Sequence, residues 1–162
     1  CLNVILDHSR HLLNRLHDNS IDVCFSYLAT NEISYKCIPY KTDEIIFVTN
    51  SQNIQFSNGI HNGEILHLPI IYSKFMPKSG FDWIHDIFPP HYVFQFTISV
   101  IKEIIPFLLQ YPYYAFLPRK LIEKELKDGL LIEIPLLDYH IPPLQSYIIM
   151  KSNAKYNPLD YF

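Results

Sequence analysis

Short apolar runs alternate with amphipathic stretches from the first residues of the chain. The run "LNVILD" is rich in branched apolar residues and predicts a β-strand. In the segment that follows, "HSRHLLNRLHDNS", Leu12, Leu13 and Leu16 recur at helical spacing, and Ser9 is the expected N-cap. The next run, "IDVCFSYL", has the length of a strand. A strand, a helix and a strand joined by short links are typical of a parallel βαβ unit.

The rest of the chain predicts further strands and helices. Strands are expected at "ISYKCIPY", "DEIIFVTN", "HLPIIYS", "YVFQFTI", "YYAFLP", "LLIEIPL" and "QSYIIMKSN". Helices are expected at "GFDWIHDIF", "SVIKEIIPFLLQ" and "RKLIEKELKDG", and "NPLDYF" is expected to begin a last one. Pro106 should kink or break its helix, and Gly129 should end the helix before it. Because several strands are almost continuously apolar, we expect a sheet that is covered on both faces.

A polar segment with Asn and Gly residues, at positions 51–63, separates two blocks of strands and helices. The pattern therefore favours two α/β lobes joined by crossing strands. The length of 162 residues fits one domain or two small lobes, and the 49% of hydrophobic residues can form a core.

Charge and cysteine content limit the class of protein. Lys and Arg total 13 against 16 Asp and Glu, and no basic cluster exceeds "PRK", so we expect no direct binding of nucleic acid by this chain. No apolar run is long enough for a membrane span, and the first residues do not resemble a secretory signal. The cysteines, Cys1, Cys24 and Cys37, are odd in number and form no C-x-x-C motif. They indicate reduced thiols in the cytoplasm, with Cys24 as a small core residue.

Catalytic signatures are missing from the sequence. It contains none of the serine-hydrolase, P-loop, dinucleotide-binding or zinc-protease motifs, and its 4 glycines argue against a phosphate-binding loop. His8 and His11 share a helical face, whereas His17 lies away from it, so we interpret them as surface or interface histidines rather than metal ligands. No cofactor, no metal and no enzymatic activity are expected.

Ligands of open α/β sheets bind outside the carboxyl ends of the strands, and this rule selects the candidate binding residues. The candidates are polar, aromatic or proline residues in or just after predicted strands: Ser26, Tyr27, Thr30, Ser73, Lys74, Thr97, Ser99, Tyr114 and Pro118. Lys74 is equally compatible with a solvated position, and Ser99 with an N-cap. Tyr111, Tyr113 and Tyr114 either line a pocket for an apolar or aromatic ligand or pack between lobes.

The order of several segments resembles that of LysR-type transcriptional regulators. "LHDNSIDVCFSYL" resembles the "L..G.lDvai" segment of that family, and "CIPYKTDEIIFVTNSQN" resembles its "pL..e.l.lv.p..hpl". "LHLPIIYS" resembles "L...p.I.f", and "YYAFLPRKLIEKELKDGLLIEIP" resembles the segment around "G.Gia.lP". "QSYIIMKSNAKYNPLDYF" resembles the closing segment. The chain departs from the pattern at Tyr111 and Tyr113, which replace glycines, and at Asn19 and Ser20, where the family often has glycine.

The resemblance implies the C-terminal effector-binding domain of such a regulator, with the two-lobe fold of type 2 periplasmic binding proteins. A cleft for a small effector would lie between the lobes, which two crossover segments join. It places residues 1–67 with 137–162 in one lobe and residues 68–136 in the other. By this resemblance we expect the DNA-binding winged helix-turn-helix of the family, and the first strand and helix of the effector domain, to lie outside this sequence.

The resemblance also implies partners. The effector would be a small molecule, such as a carboxylate or an aromatic compound, and the protein a homodimer or tetramer that contacts DNA only through the absent domain. Leu12, Leu16 and Leu121 are then expected at a dimer interface rather than in the core. The alternative is a solute-binding protein of a transporter with the same fold, which the unpaired cysteines disfavour.

Overall fold

The computed structural model describes residues 3–5, 7–73 and 82–153 of the chain. The chain divides into two compact units, the first formed by Cys1–Thr42 with Gln145–Phe162 and the second by Asp43–Leu144. The lobe boundaries expected from the sequence, after residues 67 and 136, both lie inside the second unit. That division into lobes stays a prediction.

The described residues of the first unit form one helix and a three-stranded sheet. The helix α1 spans Ser9–His17, and the strands are β1 (Val23–Ser26), β2 (Tyr35–Asp43) and β8 (Leu144–Lys151). The last residue of β2 and the first residue of β8 belong to the second unit. The order of the strands in the sheet is β1-β8-β2, and β1 runs antiparallel to β8. The helix packs on the sheet through the buried Leu16, which lies against Cys24 and Ile149. The expected core position of Cys24 is therefore confirmed.

The start of the chain differs from the expected parallel βαβ unit. Of the segment predicted as a first strand, the described residues Asn3–Ile5 and Asp7 are not in a strand. A strand needs a neighbour that receives its backbone hydrogen bonds, and β1 pairs with β8. The apolar pattern identified a segment with strand character, but pattern alone does not supply the pairing partner.

A contact with a distant residue fixes the first end of α1, and a local turn fixes the other. Ser9 is the first helical residue and not the N-cap, which is His8 without a side-chain capping bond; the Ser9 hydroxyl instead accepts a hydrogen bond from the Tyr27 N–H at 3.3 Å. At the other end Asn19 adopts the left-handed φ of 66°, which Asn tolerates better than most residues. The Ser20 N–H then donates to the Arg15 carbonyl at 2.9 Å and closes the helix.

The second unit is built on a five-stranded sheet of order β5-β4-β6-β3-β7. Its strands are β3 (Ile45–Asn50), β4 (Ile70–Ser73), β5 (Phe96–Ile98), β6 (Tyr114–Pro118) and β7 (Leu131–Glu133). The strand β4 is parallel to β5 and β6, whereas β3 is antiparallel to β6 and β7.

Both faces of this sheet are covered, as the continuous apolar strands predict. Successive residues of β3 belong to different clusters: Phe47 packs with Trp83 and Phe116, whereas Ile46 and Val48 pack with a cluster on the other side. Side chains of a strand alternate between its two faces, so two separate apolar clusters require two covering layers.

Short helices cover the sheet. They are α2 (Asn62–Ile65), α3 (Ile84–Ile87), α4 (Ile104–Gln110) and α5 (Glu123–Lys127), and 3-10 turns precede the last two at Ile101–Glu103 and Arg119–Ile122. Pro106 is the third residue of α4, where its missing N–H removes no intrahelical bond. The expected kink or break is replaced by a change from the 3-10 turn to the α-helix directly before α4. In the described part of the chain no helix is both long and apolar enough to span a bilayer.

The sequence predicted that Ser99 caps the start of a helix and that Gly129 ends one. The 3-10 turn before α4 has Val100 as its N-cap, so Ser99 does not fill the expected capping position. Gly129 has a φ of 67°; its N–H donates to the Leu126 carbonyl at 3.1 Å, and the Leu130 N–H donates to the Glu125 carbonyl at 2.9 Å. This pair of bonds is the Schellman ending that the sequence predicts from the glycine. The predicted helix at "NPLDYF" lies outside the described residues.

Candidate functional site

The carboxyl ends of three strands meet at one edge of the five-stranded sheet. Because β4 is parallel to β5 and β6, all three strands end on the same side. Ser73, the last residue of β4, pairs with Ile98 of β5. The register that pairs Ile71 with Ala115 brings Ser73, two residues further on, level with Leu117 near the end of β6. This edge is where open α/β sheets place their ligands.

Four of the predicted ligand residues belong to this edge. Ser73 is buried, Thr97 and Ser99 are exposed at the end of β5, and Pro118 is half-buried at the end of β6. Lys74 lies outside the described residues. The edge thus carries the hydroxyl groups of Ser73, Thr97 and Ser99, and its role in ligand binding stays a prediction.

Tyr114 occupies the opposite end of β6. Its side chain is only 2% exposed, and its ring lies 5.5 Å from that of Phe47 and 6.4 Å from that of Phe56, measured between centroids. Burial raises the pKa of the Tyr114 phenol, which a hydrogen bond from Asn53 lowers in part. Tyr114 is therefore a core residue at the amino end of β6, away from the edge at which Pro118 lies.

The first unit carries the remaining predicted ligand residues. Ser26 is buried at the carboxyl end of β1, and its hydroxyl accepts a hydrogen bond from the Leu28 N–H at 2.9 Å. Thr30 is half-buried, and its hydroxyl accepts from the Glu32 N–H at 3.3 Å. Tyr27 is exposed. The hydroxyl groups of Ser26 and Thr30 thus stabilise the turn after the strand, and their role in ligand binding stays a prediction.

The leucines expected at a dimer interface have different environments. Leu16 is 0% exposed in the single chain and is a core residue of the first unit. Leu12 and Leu121 are half-buried, each packing against a core cluster. A side chain with no accessible surface cannot contact a partner chain unless the fold opens, so Leu16 fits the core alternative and not the interface.

The histidines near the start of the chain have an acidic neighbour that the sequence pattern did not reveal. His11 lies 3.0 Å from the Asp7 carboxylate, measured from Nδ1, and the Asp7 pKa is lowered by hydrogen bonds from the His8 backbone and from His11. Over the described ranges, no three His, Cys, Asp or Glu side chains are arranged to hold a metal ion.

Sequence reasoning missed an open cavity of about 480 Å³ in the first unit, which is lined mainly by residues with polar side chains. It lies at the carboxyl end of α1, beside the turn before β2 and the end of β8. Its walls include His17, Glu32, Ser34, Tyr35, Lys151 and residues 152–153. These residues come from three segments far apart in the chain, so neither a motif nor a periodicity could have identified them.

Comparisons with known proteins identify the fold. No family model matches the sequence, and no curated protein matches it. A mutant of OxyR from Corynebacterium glutamicum is 19% identical, with a TM-score of 0.68, and the match covers 92% of this chain and 48% of that chain. Full-length OxyR from Pseudomonas aeruginosa, a point mutant, is 10% identical with a TM-score of 0.73, covering 92% of this chain and 52% of that one.

A third structure, the bromide-bound regulatory domain of HypT from Salmonella typhimurium, is 15% identical with a TM-score of 0.72, covering 96% of this chain and 75% of that chain. The chain spans about half the length of several of these solved structures. Identities of this size establish the fold. The chain has the type 2 periplasmic-binding-protein-like fold of LysR-type regulatory domains, as the sequence predicts.

Proposed function

We propose that this chain is the ligand-sensing regulatory domain of a bacterial LysR-type transcriptional regulator. The observation that carries the proposal is the match over 92–96% of the chain with OxyR and HypT structures. The ordered set of family-like segments in the sequence supports it independently. A small-molecule effector shifts such a domain between conformations only if it binds one of them more tightly.

The rest of the regulator supplies the contact with DNA. The net charge of −3 gives this chain no electrostatic attraction for a phosphate backbone. DNA binding is therefore assigned to a winged helix-turn-helix in another part of the protein. The protein is proposed to act in the cytoplasm as a homodimer or tetramer, with Leu12 and Leu121 at the contact between copies.

The effector site is proposed at the carboxyl edge of β4, β5 and β6. Ser73, Thr97, Ser99 and Pro118 form this edge, and Lys74 follows Ser73 directly in the chain. Ser26, Tyr27 and Thr30 of the first unit stay separate candidates for contacts with a ligand. Hydroxyl groups at such an edge suit a small carboxylate or an aromatic acid.

A thermal-shift screen tests the proposal. Small carboxylates, amino acids and aromatic acids are added to the chain, and an effector is expected to raise Tm with concentration, since it stabilises the native state. The shift should shrink in Thr97→Val and Ser99→Ala and persist in Ser51→Ala, a serine that directly follows β3. A shift unaffected by both edge variants would place the ligand elsewhere and contradict the proposed site.

The coding sequence upstream of the chain distinguishes the regulator from the solute-binding protein. A winged helix-turn-helix segment is expected there, and a lipoprotein signal would overturn the assignment to a regulator. Sedimentation of the chain at high concentration tests self-association. A monomer under all conditions contradicts the proposed contact, and Leu121→Asp should weaken any dimer.

A further inference from the structure

Hydrogen bonds hold part of the wall of the cavity in the first unit. The Lys151 ammonium donates to the carbonyl of His17 at 3.2 Å and to the side-chain oxygen of Asn19. On the neighbouring wall, the Ser152 N–H donates to the Ser34 carbonyl at 2.8 Å, and the Ser152 hydroxyl donates to the Ile33 carbonyl at 2.9 Å. Groups held in this way lose little conformational freedom when a ligand binds.

Some hydrogen-bonding groups that line the cavity have no partner among the described residues. The Lys151 ammonium has three N–H donors, and its two hydrogen bonds leave one. The Glu32 carboxylate and the Tyr35 hydroxyl have no hydrogen-bond partner in the described part of the chain. Glu32 and Lys151 form no ion pair with each other, although both line the same cavity.

Two unpaired charges of opposite sign restrict the ligand that fits between them. A simple anion could pair with Lys151 only, and a simple cation could pair with Glu32 only. A molecule that carries both charges satisfies both residues and adds charge-assisted hydrogen bonds at each end. The volume of about 480 Å³ is within the range of small-molecule sites.

We propose that this cavity binds a small zwitterion of the α-amino-acid class. The ligand carboxylate contacts the Lys151 ammonium, the ligand ammonium contacts the Glu32 carboxylate, and the Tyr35 hydroxyl donates to the carboxylate. The ligand side chain points to the open side of the cavity. This site is separate from the carboxyl edge of β4, β5 and β6, and it does not depend on the proposed regulatory function.

An NMR titration of the ¹⁵N-labelled chain with each of the twenty amino acids tests the proposal. At least one amino acid should give saturable shifts in the backbone amides of Ser34, Tyr35 and Ser152. Acetate and methylammonium, which each carry one of the two charges, should bind at least about tenfold more weakly, because each loses one charge-assisted hydrogen bond. Acetate that binds as tightly as the amino acid would indicate an anion site and overturn the proposal.

Variants of the two charged residues complete the test. Glu32→Gln preserves the size of an exposed side chain and should weaken binding about tenfold, as should Lys151→Gln. Tyr35→Phe removes only the hydroxyl and should have a smaller effect. Glu103→Gln and Lys102→Gln, which alter exposed charges in the second unit, should leave the affinity unchanged. No saturable shift with any amino acid, or an affinity unchanged in Glu32→Gln, would overturn the proposal.

Discussion

The imidazole of His61 lies 2.8 Å from the carboxylate of Asp138, measured from Nδ1 to Oδ1, and this contact joins two segments that are 77 residues apart. The other oxygen of the same carboxylate accepts a hydrogen bond from the Asn62 N–H at 3.0 Å, at the start of α2. Asp138, with a smaller contribution from Glu64, raises the His61 pKa, and the hydrogen bond from His61 lowers the Asp138 pKa. The contact thus stabilises the charged forms of both groups.

The stability that this pair contributes should depend on pH. The His61 contribution is complete below the ordinary pKa of 6.5 and is lost as the pH rises through the raised pKa of His61. The Asp138 contribution is complete above the ordinary pKa of 3.8 and is lost as the pH falls through its lowered pKa. We expect Asp138→Asn to lower Tm most near pH 5 and less at pH 8 and at pH 2.5.

Circular dichroism melts across this pH range measure the effect, and an NMR titration should show a lower His61 pKa in Asp138→Asn. Glu103→Gln is the matched control, since it removes an exposed carboxylate that has no ion-pair partner in the described ranges. A difference in Tm that stays constant with pH would contradict the role of the ion pair.

Substitution by alanine should change the stability in opposite directions at Gly129 and at Gly63. Gly129 has a φ of 67°, and an added Cβ would meet no atom within 4 Å, so Gly129→Ala should cost about 1–2 kcal/mol through backbone strain alone. Gly63 lies in α2 with no left-handed φ and equal space, so Gly63→Ala should be neutral or stabilising by up to about 1 kcal/mol.

Urea unfolding monitored by the fluorescence of Trp83 measures both effects. Trp83 is the single tryptophan of the chain and is buried in the second unit, to which both glycines belong. Equal stabilities of the two variants would show that the turn after α5 does not require the left-handed conformation.

The assignment of Leu16 to the core predicts a large loss of stability on truncation. Leu16→Ala should destabilise the chain by about 2–5 kcal/mol, because it leaves a cavity against Cys24 and Ile149. Leu12→Ala, at a half-buried position of the same helix, should cost less. Urea unfolding followed by circular dichroism measures both. If Leu16→Ala weakened self-association but left the stability of the monomer unchanged, Leu16 would be an interface residue after all.

The two described cysteines should differ in reactivity. Burial, with a smaller contribution from Cys37, raises the pKa of the Cys24 thiol to about 11, so the reactive thiolate is on the order of one part in a thousand at pH 8. Cys37 is half-buried. Iodoacetamide should therefore label Cys37 in the folded chain and Cys24 only in urea, which peptide mass mapping can measure. Equal labelling of both without urea contradicts the burial of Cys24.

The sequence predicted those features that depend on local chemistry or on a continuous apolar run. The strands around Phe47 and Phe116 were identified because buried strands need uninterrupted apolar residues, and the ending at Gly129 because glycine adopts the left-handed conformation readily. Pro106 lies in the first turn of α4, a position that proline tolerates, so the helix continues where the sequence predicted a kink or break.

The features that sequence reasoning missed depend on residues distant in the chain. The hydroxyl of Ser9 binds the Tyr27 amide instead of capping its own helix, and no local rule weighs that competing partner. The pairing of β1 with β8 joins residues such as Val23 and Met150. The prediction of the site was limited in the same way. The sequence located the strand, but only the bounds of β6 show that Tyr114 and Pro118 lie at its opposite ends.

The left-handed turn at Asn19 restricts how related sequences can vary. Only glycine and, less readily, asparagine or aspartate adopt a φ near 66° without large cost, so a β-branched residue there would indicate a helix that ends differently. Glycine would preserve the turn but remove the side-chain oxygen that accepts from Lys151. The choice between the two residues thus changes the number of donors that this lysine offers to the cavity, while the backbone stays the same.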